Sequence, residues 1–161
     1  MRKETVIKNI THADVACIQD IAHKHVQMLQ GDPTVQKGVT TMMCALYEEM
    51  ILRRLQYEQE CIRVVLRETL VVSYIWAHYD QSSKTVTIES LYTHPNYRQQ
   101  GIAMELKQYV ENWARTLKAH HMIGTVLATN TAMQSLNEKL GYRVQKVIMH
   151  KLLDSDMLPI K

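Results

Sequence analysis

The chain is poor in glycine, proline and cysteine and contains no phenylalanine: its 161 residues include five Gly, three Pro, three Cys and no Phe. The glycines are too far apart for the GxGxxG turn of a dinucleotide-binding fold or for the two glycines of a P-loop, which excludes both motifs. The cysteines, Cys17, Cys44 and Cys61, are odd in number and lack CxxC spacing. We therefore expect reduced thiols in a cytoplasmic protein rather than a disulfide framework.

The sequence also lacks a long apolar run and a strong excess of charge. No segment approaches the length of a membrane span, and Met1–Val6 carries charge but no apolar stretch, so we expect an unexported protein with no membrane partner. The formal net charge is +3 and is not gathered into a basic tail. Nucleic acid is therefore not an expected partner.

Eight histidines raise the question of a metal site. His23 and His25 are two residues apart on a helical pattern and therefore diverge, while His120 and His121 are adjacent at a predicted helix end. Neither pair has the spacing of metal ligands. The sequence predicts no metal.

Hydrophobic periodicity predicts one α+β domain over residues 1–161 with the element order βααβββαβαβ. The strand after the third helix follows a helical crossover and should lie parallel to the strand before it, whereas the three central strands should form an antiparallel meander. Strands are predicted at 4–10, 61–67, 70–79, 85–93, 122–129 and 142–153. Helices are predicted from Thr11 to Leu29, around Met43–Leu55, at Gly101–Lys118 and at Asn130–Leu140.

One glycine turn stands between an extended segment and an amphipathic helix, at Tyr97–Ala103. A helix that opens this way presents unpaired N–H groups and the positive end of its dipole to an anion. We expect a concavity formed by the N–H groups of five residues, with Arg98 adding a charge-assisted hydrogen bond. The five are Gln99, Gln100, Gly101, Ile102 and Ala103. A plain helix start that happens to use glycine is the competing interpretation.

Two blocks of the sequence resemble one family. Leu91–Ala103 is similar to motif A of the GNAT superfamily of acetyl-coenzyme A-dependent N-acetyltransferases, in which an extended Leu-Tyr-Val-x-Pro segment precedes Arg/Gln-x-x-Gly-x-Gly/Ala. Downstream, Asn130 and the block Leu136–Tyr142 are similar to the family's Asn…Leu-Tyr-Glu-Lys-Leu-Gly-Phe pattern. Both lie within residues 85–153, and the predicted element order is the order that this fold requires.

The resemblance implies how the acyl donor binds. Acetyl-CoA would serve as cosubstrate, without a metal, in a wedge where the fourth strand splays from the fifth. The pantetheine arm would pair with the backbone of Leu91, Tyr92 and Thr93, and the pyrophosphate would lie on the N–H groups of Gln99–Ala103 beside Arg98. Asn130 matches a position that hydrogen-bonds the pantetheine. A role as helix N-cap is equally natural for this residue.

The resemblance also implies direct attack of an amine on the thioester, with the oxyanion on a backbone N–H of the fourth strand. Glu89 matches a position where several members carry a base, and strand alternation would put Thr87, Glu89 and Leu91 on one face. An exposed Glu89 without function is the alternative. Asn137 occupies the place of a tyrosine that protonates the leaving thiolate; asparagine cannot be that acid but can donate a hydrogen bond to the sulfur.

Two functions follow from these features. The first is an N-acetyltransferase that moves the acetyl group of acetyl-CoA to a primary amine in a ternary complex. The second is a regulatory module of the same fold that binds acyl-CoA without turnover. Asn137, in the place of the tyrosine, motivates this second function. The acceptor should bind against residues 30–55. A peptide N-terminus, a lysine, a polyamine and an antibiotic all stay open as acceptors, and the oligomeric state stays open between a monomer and a homodimer.

Overall fold

The computed structural model describes residues 4–154, and the chain divides into two compact units, Met1–Leu127 and Ala128–Lys161. The second unit contains one helix, α4 (Thr131–Lys139), within its described residues. The single-domain organisation stays a prediction. The first unit contains, in chain order, β1 (Thr5–Asn9), α1 (Val15–Leu29), α2 (Thr41–Tyr57), β2 (Glu60–Arg67), β3 (Leu70–Asp80), β4 (Thr85–Thr93), a short 3-10 turn (Pro95–Tyr97), α3 (Ile102–Thr116) and β5 (His121–Gly124).

The five strands of the first unit form one sheet in the order β1-β2-β3-β4-β5. The pairs β1/β2, β2/β3 and β3/β4 are antiparallel, and β4/β5 is parallel because α3 carries the chain back across the sheet between them. This confirms the predicted α+β class, the antiparallel meander and the parallel crossover.

Helices cover both faces of the sheet, and each face has its own apolar core. On the first face, Ile21 of α1 and Ile51 of α2 pack with Trp76 of β3. On the second face, Val110 of α3 packs with residues such as Val86 of β4. We call these the α1–α2 face and the α3 face. None of the helices in residues 4–154 has the length and apolarity that a membrane span requires.

Two predicted strands differ from the structure. The strand predicted at 122–129 is observed only at His121–Gly124, and the strand predicted at 142–153 is not formed: residues 142–154 carry no regular secondary structure. The apolar side chains of that segment are exposed, among them Val144, Ile148 and Met149. Their composition favours a strand, but a strand also needs a neighbour that pairs with its backbone.

Candidate functional site

The turn before α3 adopts an unusual backbone conformation. Gly101, the N-cap of α3, has φ 80°, and Gln99 two residues earlier has φ 62°. Only glycine enters this left-handed region without steric cost. A Cβ at position 101 would meet no other atom within 4 Å, so the backbone angle and not a lack of space is the reason for glycine here. Left-handed residues of this kind turn successive N–H groups into one concavity.

The N–H groups of that turn have no acceptor among the residues that the structure describes. Among residues 4–154, no hydrogen bond is formed by the N–H of any residue from Gln99 to Ala103, whereas the next bond of α3 runs from Glu105 N to Gly101 O over 3.1 Å. Residues 98–101 are exposed to solvent. Five unpaired donors at the positive end of a helix are the chemistry that an anion site requires.

β4 separates from β5 halfway along its length. The parallel pairing begins at Thr85↔His121 and ends at Ile88↔Gly124, although β4 continues to Thr93. Within residues 4–154, the short β5 thus leaves the second half of β4 without a strand on that side. This opening, which we call the wedge, leads directly into the turn at the start of α3.

Backbone directions identify which groups of β4 face the wedge. His94 N donates to Val72 O over 2.8 Å, so by strand alternation the backbone of Tyr92 also faces β3, and that of Leu91 and Thr93 faces the wedge. Tyr92 O additionally accepts from Ser73 Oγ over 2.7 Å. Arg98 lies beside this edge, where its Nε donates to Thr93 O over 3.0 Å.

A β-bulge places Glu89 on a different face from the one that alternation predicts. Trp76 pairs with Ser90 and the next residue of β3 pairs with Ile88, so Glu89 is the extra residue of β4. Leu91 packs in the core of the α3 face, whereas Glu89 contacts α2 on the other face. The prediction that Glu89 and Leu91 share a face is therefore wrong, because a bulge interrupts the alternation of side chains.

Arg54 of α2 reaches the bulge. Its Nη1 lies 3.5 Å from Glu89 Oε1, and its Nε lies 3.7 Å from Glu58 Oε2. The guanidinium also stands over the Trp76 ring, 5.8 Å from its centroid. Glu89 is half-buried, with 28% of its side chain exposed. A cation thus holds the bulge carboxylate on the α1–α2 face.

A second polar pair on this face was not found from the sequence. Glu60 of β2 lies opposite His78 of β3, and its buried carboxylate accepts hydrogen bonds from His78 Nδ1 and, over 2.6 Å, from Trp76 Nε1. Burial raises the pKa of the Glu60 carboxyl, and the two hydrogen bonds oppose this increase. Glu60 and His78 are 18 residues apart, so only the register of β2 and β3 brings them together.

Glu58, Glu60 and His78 form a group whose ligand atoms lie within 4.8 Å of one another. Both oxygens of Glu60 already accept hydrogen bonds from neighbouring side chains, and the guanidinium of Arg54 lies beside Glu58. A divalent cation would compete with these donors and would be repelled by the arginine. The arrangement fits a hydrogen-bond network better than a metal site.

A cavity of about 540 Å³ opens along α2 and reaches Arg54 and Glu58. Its volume is within the range of small-molecule sites. Glu49 and Glu58 contribute carboxylates and Tyr57 an exposed ring. The complete lining consists of Leu46, Glu49, Met50, Arg53, Arg54, Tyr57 and Glu58.

Asn130 and Asn137 lie in the second unit, on α4. Asn130 is the N-cap: its Oδ1 accepts from Met133 N over 3.2 Å, which leaves the amide nitrogen to donate elsewhere. Asn137 Oδ1 is shielded from solvent and accepts no hydrogen bond from the described residues. Gly141 closes the helix with φ 92°, as predicted.

A comparison with known protein families assigns the chain to one of them. A family model described as "Acetyltransferase (GNAT) family" matches residues 32–142. The chain belongs to the acetyltransferase (GNAT) family. The matched span of the GNAT model includes α2, the strands β2 to β5, the turn at Gly101 and α4.

Individual GNAT relatives are distant. An aminoglycoside N(6')-acetyltransferase type 1 of Acinetobacter genomosp. 13 is 25% identical over 111 residues, which are 68% of this chain and 75% of the relative. A second relative is a crystal structure from Staphylococcus aureus subsp. aureus that is assigned to the GNAT acetyltransferases. It is 31% identical to this chain with a TM-score of 0.70, and the match covers 74% of this chain and 98% of the relative. The structure of AAC(6')-Iy in complex with the bisubstrate analogue CoA-S-monomethyl-acetylneamine shares the fold at 19% identity and a TM-score of 0.66. The match covers 92% of this chain and 98% of AAC(6')-Iy.

Proposed function

We propose that this protein transfers the acetyl group of acetyl-CoA to a primary amine. The observation that carries the proposal is the continuity of the wedge with the unpaired turn. The backbone of Leu91 and the N–H of Thr93 face the wedge and lead along β4 to five unpaired N–H groups, while Thr93 O accepts from Arg98 Nε. A CoA molecule needs both features, an edge that pairs with the amides of pantetheine and a cluster of donors for the pyrophosphate.

Binding of acetyl-CoA would give a role to each residue of the turn. The pyrophosphate would accept hydrogen bonds from the N–H groups of Gln99–Ala103, and Arg98, which already lies at the end of the wedge, would add a charge-assisted bond. The pantetheine would pair with Leu91 and Thr93. The expected contact of Tyr92 is not part of this proposal, because its backbone faces β3 and its carbonyl accepts from Ser73 Oγ. Asn130 would donate its amide nitrogen to the pantetheine.

Glu89 is the proposed catalytic base at the bulge. The acceptor amine is mostly protonated at neutral pH, so a group must take its proton before the nitrogen attacks the thioester carbonyl. Glu89 lies where the wedge begins, and the cation of Arg54 lies 3.5 Å from its carboxylate and would orient it. The oxyanion of the tetrahedral intermediate would accept a hydrogen bond from an N–H that β4 leaves unpaired.

Asn137 is the proposed contact of the departing sulfur. Its amide can donate a hydrogen bond to the thiolate without protonating it, and a thiol with a pKa of about 8.5 can leave without full protonation. This residue also motivates the second candidate function, an acyl-CoA-binding regulatory module with no turnover, because the family's tyrosine is absent at this position.

An aminoglycoside or similar polyamine is the proposed acceptor. A curated relative is named an aminoglycoside N(6')-acetyltransferase, and the cavity along α2 offers the carboxylate of Glu49 to a cationic substrate, whereas that of Glu58 is paired with Arg54. Arg54 lines the cavity and lies 3.5 Å from the proposed base. We keep the expectation of a cytoplasmic protein without a nucleic-acid or membrane partner, and a homodimer stays a prediction.

Mass spectrometry of amines incubated with acetyl-CoA tests the proposal. The amines are neamine, spermidine and a lysine-containing peptide, and Glu89→Gln is compared with Glu111→Gln, an exposed carboxylate on α3. We expect acetylation of at least one amine, with a loss of about 100-fold or more in Glu89→Gln alone. Saturable CoA binding without an acetylated product would favour the regulatory module.

A further inference from the structure

The Glu60–His78 pair has the features of a proton acceptor. Glu60 has only 1% of its side chain exposed and lies against His78 Nδ1, while His78 has 17% exposed and forms no hydrogen bond through Nε2 with the described residues. A carboxylate on Nδ1 fixes the tautomer whose Nε2 lone pair is free to take a proton. It also stabilises the imidazolium that results.

This pair belongs to the same face as the bulge of β4. Arg54 joins Glu89 to the Trp76 ring, and the indole of Trp76 donates to Glu60, which in turn holds His78. On β4, the residue opposite His78 is Thr87, two positions before Glu89. The imidazole and the bulge therefore lie on the same face of the sheet, with Arg54 and Trp76 between Glu89 and Glu60.

We propose that His78, held by Glu60, takes the proton that the acceptor amine loses, and passes it to solvent. This inference rests on the proposed acetyl transfer. The ammonium proton moves by way of Glu89 or water to His78 Nε2, and the freed lone pair of nitrogen forms the C–N bond. As the C–S bond breaks, its electron pair leaves with the CoA thiolate. The second proton of the attacking nitrogen is taken by that thiolate or by solvent, which leaves the neutral amide, and the imidazolium then releases its proton to solvent.

The buried carboxylate gives a physical reason for this direction of transfer. A charge removed from water is costly unless an opposite charge or several hydrogen bonds accompany it. Protonation of His78 places a positive charge directly against Glu60 and compensates that cost. A purely structural hydrogen bond across β2 and β3 would need only the Nδ1 donor, so a variant can separate the two roles.

His78→Asn retains a side-chain donor near Glu60 but removes the titratable nitrogen. His121→Asn, at an exposed strand histidine of β5, is the matched control. With neamine, spermidine and the lysine peptide as acceptors, we expect His78→Asn to bind CoA normally and to lose about 100-fold or more in kcat. In His78→Ala, added imidazole should restore part of the rate by occupying the vacated position.

The outcomes separate this inference from the proposed function. Acetylation by His78→Asn at the wild-type rate would overturn the inference and leave the proposed function intact. A loss of rate that imidazole does not relieve would assign His78 a structural role and also overturn it. If the wild-type protein binds CoA but acetylates no amine of the panel, the proposed function fails and the inference fails with it.

Discussion

Nη1 of Arg54 lies 3.5 Å from Oε1 of Glu89, so an ion pair connects α2 to the bulge of β4. The two residues are far apart in sequence, and neither belongs to a motif that links them. Because the bulge directs Glu89 toward α2, the orientation of the proposed base depends on a residue from another element.

Replacement of this arginine should therefore slow catalysis without affecting the proposed CoA site. We expect Arg54→Met to lower kcat by about tenfold, because Glu89 loses the cation that orients it, and to leave CoA affinity unchanged. Steady-state kinetics and calorimetry measure the two effects. Arg115→Met, which removes the exposed pair with Glu111, is the control; a loss of rate in this variant as well would contradict the role of Arg54.

The glycine at the start of α3 should have a binding role in addition to its conformational one. Gly101 and Gly38 both have positive φ, 80° and 96°, and a Cβ at either would meet nothing within 4 Å. We expect alanine at either position to lower the free energy of unfolding by about 1–2 kcal/mol. Only Gly101→Ala should also weaken CoA binding. Equal CoA affinities for the two variants would argue against the anion site.

The sequence predicted most of the elements and the glycine turn before α3, because each depends on local chemistry; the binding of an anion at that turn stays a prediction. Periodicity located α3, and one glycine before an amphipathic helix located the unpaired N–H groups. The bulge at Glu89 and the Glu60–His78 pair depend on how strands register, and no local pattern encodes them. The exposed segment 142–154 shows the opposite case, in which a favourable composition did not produce a strand.

The buried histidine of α1 should make the protein sensitive to acid. Burial lowers the pKa of His25 from 6.5 to about 4, and its ring packs against Tyr47 and Trp76. The unfolded chain binds this proton at higher pH than the folded chain, so stability is present above pH 6.5 and is lost as the pH falls toward 4.

Chemical denaturation at several pH values measures this loss. His25 should account for up to about 3 kcal/mol of the decrease in unfolding free energy between those limits. His25→Gln, which has no titratable ring, should show a correspondingly shallower decrease, whereas His12→Gln, at an exposed position, should follow the wild type. Parallel pH curves for wild type and His25→Gln would contradict the assignment.

Two substitutions distinguish the cap role of Asn130 from its proposed contact with pantetheine. Aspartate preserves an oxygen that accepts from Met133 N but removes the amide donor, so Asn130→Asp should retain stability and lose CoA affinity. Asn130→Ala should lose both, with a stability cost of about 1 kcal/mol. Calorimetric titration and thermal unfolding give the two quantities. If Asn130→Asp binds CoA with the wild-type affinity, this residue serves only as the N-cap of α4.

Calorimetric comparison of CoA with pantetheine tests the central claim most directly, because the two ligands share the arm that fits the wedge and differ in the pyrophosphate-bearing nucleotide. If the N–H groups of Gln99–Ala103 hold the pyrophosphate, CoA should bind saturably and at least about 100-fold more tightly than pantetheine, a difference of about 3 kcal/mol. Equal affinities for the two ligands, or no binding of CoA, would contradict the account.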